Sequence, residues 1–305
     1  MTRTPQAREG YVSFRGYKDW YRIVGGQEKP GKLPMLCLHG GPGATHDYLE
    51  PLEAMAETGR RIIFYDQLGN GNSDRPDAPS LWTVELFVEE LGVMRRALGL
   101  DRVHIFGQSW GGMLAMEYAL TQPSGLAGLI LANSPASAPL WVSEINRLRA
   151  ELPPDVQRTL LKHEADGSTD DPAYLEAMMV FYRRHLYRLD PWPECLNRTF
   201  DKAAEFPHVY ATMWGPSEFY VTGTLKDWQI VDRLGEITAP TLVVGGRYDE
   251  ATPVITETVH KGISGSEWVI FEHSSHMPHL EETELYIETL SDFLERVETQ
   301  SMDVR

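Results

Sequence analysis

Ser109 stands in Gly107-Gln108-Ser109-Trp110-Gly111-Gly112, a Gly-x-Ser-x-Gly pattern between the short apolar run Val103 to Phe106 and a run of good helix formers from Met113 to Leu120. The spacing predicts a strand, a very sharp turn and a helix. A serine on such a turn is held in a strained backbone conformation, so its hydroxyl projects from the sheet end toward a substrate. That hydroxyl is a weak nucleophile at neutral pH. It needs an imidazole to take its proton and a carboxylate to hold the imidazole in the right tautomer. Asp249 follows the strand-like run Thr241-Leu242-Val243-Val244, and His276 follows a last one at Glu267-Trp268-Val269-Ile270-Phe271. Glu250 is a rival of Asp249 but lies farther from the strand end and has a longer arm. His273 and His279 flank His276, and spacing alone does not separate the three.

An oxyanion formed on attack needs donors, and backbone amides serve as well as side chains. The buried-strand pattern Met35-Leu36-Cys37-Leu38 ends in His39-Gly40-Gly41-Pro42-Gly43, a loop whose amides are free to face a site. The amides of Gly41 and Trp110 are the candidates, with His39 bracing its loop by hydrogen bonding. Gly107 and Gly111, with help from Gly112, let the strand and helix approach where no Cβ intervenes.

The elements that would position these groups follow in order. Tyr11 to Val24 alternates apolar and polar residues, as opening antiparallel strands do. Arg61-Ile62-Ile63-Phe64-Tyr65 and Gly128-Leu129-Ile130-Leu131-Ala132 repeat the buried-strand pattern. Between them Thr83 reads as the N-cap, and Gly99 as the stop, of a helix with Val84, Phe87, Val88, Leu91, Met94 and Leu98 on one face. Alternation of strand and helix predicts an α/β fold, a mostly parallel sheet covered on both faces, with ligands at the carboxyl ends of its strands. From about Pro139 to Arg233 buried β runs give way to amphipathic helical segments, at Trp141 to Leu152, Val156 to Glu164 and Tyr174 to Arg188, broken at Pro153-Pro154 and Pro191-Trp192-Pro193. The division expected is a core of residues 1–138 and 234–305 with an inserted helical cap of residues 139–233. A closing helix is expected from Glu282 to Glu298, followed by a loose tail. Ser, then Asp, then His along the chain is the order of an α/β-hydrolase.

The formal charge is −16, which disfavours nucleic acid and anionic membrane surfaces as partners. Cys37 and Cys195 are far apart, with no C-x-x-C pair and no His/Cys cluster at metal spacing, so free cytosolic thiols are expected and no metal. The polar start Met1 to Gly10 lacks the apolar core of a signal peptide, and no apolar run is long enough for a membrane span. These readings place the protein in the cytoplasm. The serine mechanism requires no cofactor.

The chain resembles the proline iminopeptidases, particularly the branch containing the tricorn-interacting aminopeptidase factor and the L-amino acid or L-proline amide hydrolases. The resemblance covers nearly the whole chain. It rests on His39-Gly40-Gly41-Pro42-Gly43, Tyr65-Asp66-Gln67-Leu68-Gly69-Asn70-Gly71, the segment around Ser109, Trp214-Gly215-Pro216-Ser217-Glu218-Phe219, Gly223-Thr224-Leu225-Lys226-Asp227-Trp228 and Asp249-Glu250-Ala251-Thr252-Pro253. Trp141-Val142-Ser143-Glu144 and Ser274-Ser275-His276-Met277-Pro278-His279 look most like the amide hydrolases. The resemblance implies Ser109, Asp249 and His276 as the triad. It also implies that Glu218 and Glu250, assisted by Tyr210, bind the substrate's free α-amino group. The reaction implied is cleavage after a free N-terminal L-amino acid, proline or a small apolar residue, in short peptides, arylamides or amino acid amides. Typical bacterial proline iminopeptidases have arginine where Leu68 stands and glycine where Gln108 stands, so the side-chain and leaving-group preference here need not be theirs. An esterase or acyl-transfer enzyme on the same scaffold, or a binding protein that has kept the fold, are the competing readings.

Overall fold

A computed structural model describes residues 7–303, the side chains of 301–303 excepted; the first residues of the polar N-terminal stretch and the last two of the expected loose tail lie outside it. Eight strands among the described residues form one sheet, in the order first, second, fourth, third, fifth, sixth, seventh and eighth along the chain. β1 (Ala7–Phe14) and β2 (Tyr17–Val24) form the antiparallel hairpin that the alternation predicts. Its two turn residues, Arg15 and Gly16, both have positive φ, the turn whose twist matches that of paired strands. β3 (Met35–Leu38), β4 (Ile62–Tyr65), β5 (Val103–Gln108), β6 (Leu126–Ala132), β7 (Thr241–Gly246) and β8 (Glu267–Phe271) run parallel. β3, β4, β5 and β7 are buried along their whole length, as expected of strands covered on both faces.

Local signals explain most helix ends. α1 (Val84–Ala97) starts where the Thr83 side chain accepts from the Leu86 amide, and the chain turns away at Gly99 with φ 64°. α2 (Trp110–Leu120) follows Ser109 directly. Between β6 and β7 lie α3 (Ala138–Arg149), α4 (Pro154–Asp166), α5 (Pro172–His185), α6 (Glu194–Glu205) and α7 (His208–Met213), with no strand among them. Pro153-Pro154 separates helices as expected, with Pro154 taking the first helical position, where its missing N–H costs nothing. Several elements had no reading of their own from the sequence pattern, among them a run of 3₁₀ turns over His46–Thr58, α6, the short α7, and α8 (Pro253–Gly262). After α9 (Pro278–Glu281), α10 (Thr283–Asp303) continues about one turn past the Glu298 expected as its end.

The reason α10 holds is electrostatic as well as apolar. Glu298 enters the molecule beside β3 and β5, where it meets Arg60 at 2.7 Å, His104 at 3.3 Å and the Leu33 amide at 2.9 Å. Burial opposes its ionisation, but the hydrogen bonds from His104 and Arg60 outweigh that and bring the carboxyl down to about 2. The folded value lies below the ordinary glutamate value of about 4.3, so the stabilisation is complete above that value and is lost as pH falls through the folded one. Glu298→Gln is therefore expected to lower stability by roughly 2 kcal/mol at pH 7. In urea titrations at successive pH values the deficit against wild type should shrink below about pH 4.

Candidate active site

The elbow is built by steric exclusion. A Cβ on Gly107 would lie 2.2 Å from the Gly111 carbonyl oxygen, and one on Gly111 would lie 2.2 Å from that of Leu38. A Cβ on Gly112 would lie 1.9 Å from Ser134 Oγ. Only glycines allow α2 to start so close to β5 and β3. Ser109, squeezed between them, takes φ 55° and ψ −121°, a strained backbone for a residue with a side chain. Its amide donates to Ala132 O at 2.8 Å, and its carbonyl accepts from Gly112 N at 2.9 Å and Ser134 Oγ at 2.8 Å. These bonds over-determine the strained residue.

Asp249, at the end of β7, accepts from the Ala251 amide at 2.7 Å and from the Asn133 side chain, and its Oδ1 lies 2.7 Å from His276 Nδ1. A carboxylate only accepts, so Nδ1 carries the proton and Nε2 is the basic nitrogen. Glu250 does not replace Asp249: its Oε1 lies 3.7 Å from Nε2, on the other edge of the ring. His279 points its Nε2 at the Tyr48 carbonyl, 3.1 Å away, and burial pushes its pKa down to about 3. His273 is exposed. Asp249 and His276 are thus the paired couple, and Ser109 and His276 line one cavity of about 390 Å³.

Gly40, Gly41 and Gly43 border the same cavity. Gly41 has φ 108°, and a Cβ there would lie 2.3 Å from Gly43 N, so the loop's tight path requires glycine. The Trp110 amide is the first of α2, one of the donors no intrahelical carbonyl can reach. His39 braces its loop as expected. Its Nδ1 donates to Gly40 O at 3.0 Å and its Nε2 accepts from the Gln67 amide at 3.0 Å, while Gln67 Oε1 accepts from Trp110 Nε1 at 2.8 Å.

Two further carboxylates border the cavity. Glu250 is fully buried, and neither of its oxygens has a hydrogen-bond partner among the described residues. Burial, then the charges of Glu218 and Asp249, push its pKa well above the ordinary glutamate value. Glu218, half-buried by surface area yet facing inward, is also shifted upward by desolvation, against the opposing effect of Tyr210, whose hydroxyl donates to Oε1 at 2.7 Å. The Glu218 carbonyl accepts from Trp141 Nε1 at 2.9 Å, and the Trp141 ring stands edge-on to that of His276, with centroids 6.0 Å apart. The other wall is apolar, with Leu175, Met178, Leu186, Leu196, Phe200 and Pro207. The cavity therefore has an acidic end beside Ser109 and an apolar end beyond it.

His46, Asp47 and Glu50 also gather closely enough to suggest a metal site. Lys202 and Arg198 already occupy Asp47, and Arg198 also takes Glu50, so the negative charge there is met by α6. Sequence reasoning gave no role to Asn133, His185 or Trp141, although Trp141 opens one of the stretches that carry the resemblance. Asn133, with φ 55°, orients Asp249, and the His185 carbonyl accepts from the amides of both Glu250 and His276 at 3.2 Å. Asn133-Ser134-Pro135, directly after β6, is the local signal for the first of them.

Residues 34–283 match the model of the alpha/beta hydrolase fold family. A proline iminopeptidase of Clostridium botulinum is 42% identical over 291 residues, covering 94% of this chain and 98% of that relative. The chain belongs to the proline iminopeptidase family of α/β-hydrolases. The solved structure of the proline iminopeptidase of Mycobacterium smegmatis superposes with a TM-score of 0.90 at 42% identity, covering 96% of this chain and 100% of that one. The structure of VinJ superposes with a TM-score of 0.93 at 47% identity, covering 96% and 99%. The chain is accordingly a hydrolase of the proline iminopeptidase type. Of its two departures from that family's usual residues, Leu68 is buried with its amide donating to Glu90, and Gln108 is buried at the border of the cavity beside Ser109.

A buried carboxylate without a partner destabilises the empty fold. Glu250→Gln is expected to melt at a temperature equal to or above that of wild type at pH 8, measured by calorimetry without ligand. A site glutamate needed only for structure would give the opposite sign.

Proposed function

We propose that the protein hydrolyses the amide bond that follows a free N-terminal L-amino acyl group, proline or a small apolar residue. The observation that carries the reading is Glu250, which has no hydrogen-bond partner among the described residues and with Glu218 makes an acidic end to the cavity holding Ser109. An ammonium entering there meets two carboxyl groups that water no longer solvates and that ionise to receive it. An acylated amine leaves them unmet, which is a strong basis for rejection. Tyr210 holds Glu218 in place for this task.

In the reaction, the Ser109 hydroxyl gives its proton to His276 Nε2 as Oγ attacks the acyl carbon. Asp249 keeps the imidazolium oriented, and the amides of Gly41 and Trp110 receive the oxyanion. His276 then returns the proton to the departing amine, and water, activated by the same imidazole, releases the amino acid from Ser109. The chemistry needs no metal or organic cofactor. The helical segment 139–233 acts as a cap on the core of 1–138 and 234–305 and shapes the leaving-group side. Its apolar wall favours arylamides and other apolar amines over primary amides and polar peptides. No helix among the described residues is long and apolar enough to cross a membrane, and we place the enzyme in the cytoplasm, acting on small molecules or short peptides.

The test is a paired assay on L-proline p-nitroanilide, L-prolinamide and their N-acetyl counterparts. Turnover of the free amines alone, with the anilide preferred, is expected, and Ser109→Ala should lose about 10⁴-fold or more in kcat. Glu218→Ala should lower kcat/KM for the free amines about 10²-fold. Equal turnover of the blocked compounds would replace this reading with that of an esterase or acyl-transfer enzyme, and failure of Ser109 to react with a fluorophosphonate would leave a binding protein. Because both glutamates have raised pKa values, they stay neutral to a higher pH than ordinary carboxyls. KM for a free amine should therefore begin to rise, on acidification, well above the usual carboxylate range of about 4.

A further inference from the structure

Gln108 precedes Ser109, is buried, borders the cavity, and has no part in the reaction proposed for it. Its amide nevertheless joins the loops that carry the reaction. Nε2 donates to the His276 carbonyl at 3.1 Å, and Oε1 accepts from the Tyr48 hydroxyl at 2.6 Å. The same hydroxyl oxygen accepts from the Gly40 amide at 2.8 Å. The orientation of the amide is forced, because the His276 carbonyl can only accept. An independent steric observation agrees: a Cβ on Gly40 would lie 2.9 Å from Gln108 Oε1 and 3.1 Å from Ser109 Cβ, so this loop packs directly on the elbow. Tyr48 is anchored in turn, its amide donating to Thr199 Oγ1 at 3.1 Å and its carbonyl facing His279 Nε2.

We propose that Gln108 is a positioning residue, which holds the histidine loop and the oxyanion loop in register with Ser109 through a single side-chain amide. The inference rests on the serine hydrolase reading but is independent of the amine anchor, since Gln108 touches neither Glu218 nor Glu250 among its hydrogen bonds. Loss of the tie lets His276 and Gly41 drift relative to Ser109. Misplacement of that kind lowers the chemical step and leaves substrate affinity largely alone.

The variants are Gln108→Met and Gln108→Leu, both of similar volume but without either hydrogen bond. Both are assayed on L-proline p-nitroanilide, with kcat expressed per site titrated by a fluorophosphonate so that misfolded protein does not count. Each variant that folds is expected to lose about tenfold or more in kcat, with KM within about threefold of wild type. Tyr48→Phe should lose a similar factor, and its combination with Gln108→Met should be little worse than the poorer single variant, because both break one tie. A loss in kcat under tenfold, a loss carried by KM, or losses that multiply in the double variant would overturn the proposal. Wild-type protein that resists the fluorophosphonate would instead remove the serine reading beneath it.

Discussion

The whole arrangement depends on one close contact, the start of α2 packed backbone to backbone against β5 and β3. Gly107, Gly111 and Gly112 have no room for a Cβ, and Ser109 takes the strain that results. That strain is what turns the hydroxyl out of the sheet. Every other feature of the site can then be supplied by loops at the same sheet edge, because β3, β5, β6 and β7 are neighbours running in one direction. Asp249, Asn133 and the glycine loop each begin where one of these strands ends.

The second constraint is charge. A protein of formal charge −16 has no need of more buried acid, yet Glu250 is fully enclosed without a hydrogen-bond partner among the described residues. Burial and the neighbouring carboxylates make its ionisation unfavourable in the empty site. Cations meet some buried acids elsewhere, Arg60 at Glu298 and Lys202 at Asp47, whereas the buried Asp19 and Glu90 lie against each other and are both shifted upward. Glu250 differs from that pair in bordering the cavity that holds Ser109, and this position is what the proposed amine anchor rests on.

Much of this was legible in the residues, for physical reasons. Strands buried on both faces are unbroken apolar runs, and the elbow is written in glycines that no other residue can replace. The couple of His276 with Asp249 followed from strand-end placement, although only three-dimensional contacts separate Asp249 from Glu250 and His276 from His279. Helical turns that pack through few residues were not legible: Pro51 interrupts the His46–Thr58 run, and α7 is too short to show a period. Glu218 illustrates another limit. On its own it reads as a solvated acid, and only the resemblance to proline iminopeptidases singled it out. Gln108 was visible as a departure from the family, but its two partners lie 60 and 168 residues away, beyond any local pattern.

The most direct test of the charge argument is calorimetric titration of Ser109→Ala protein with L-prolinamide near pH 7, repeated in buffers of different ionisation enthalpy. Glutamates with raised pKa values must give up protons to receive an ammonium, so binding is predicted to release protons, and N-acetyl-L-prolinamide should bind far more weakly. Binding without proton release, or equal affinity for the acetylated compound, would contradict the account.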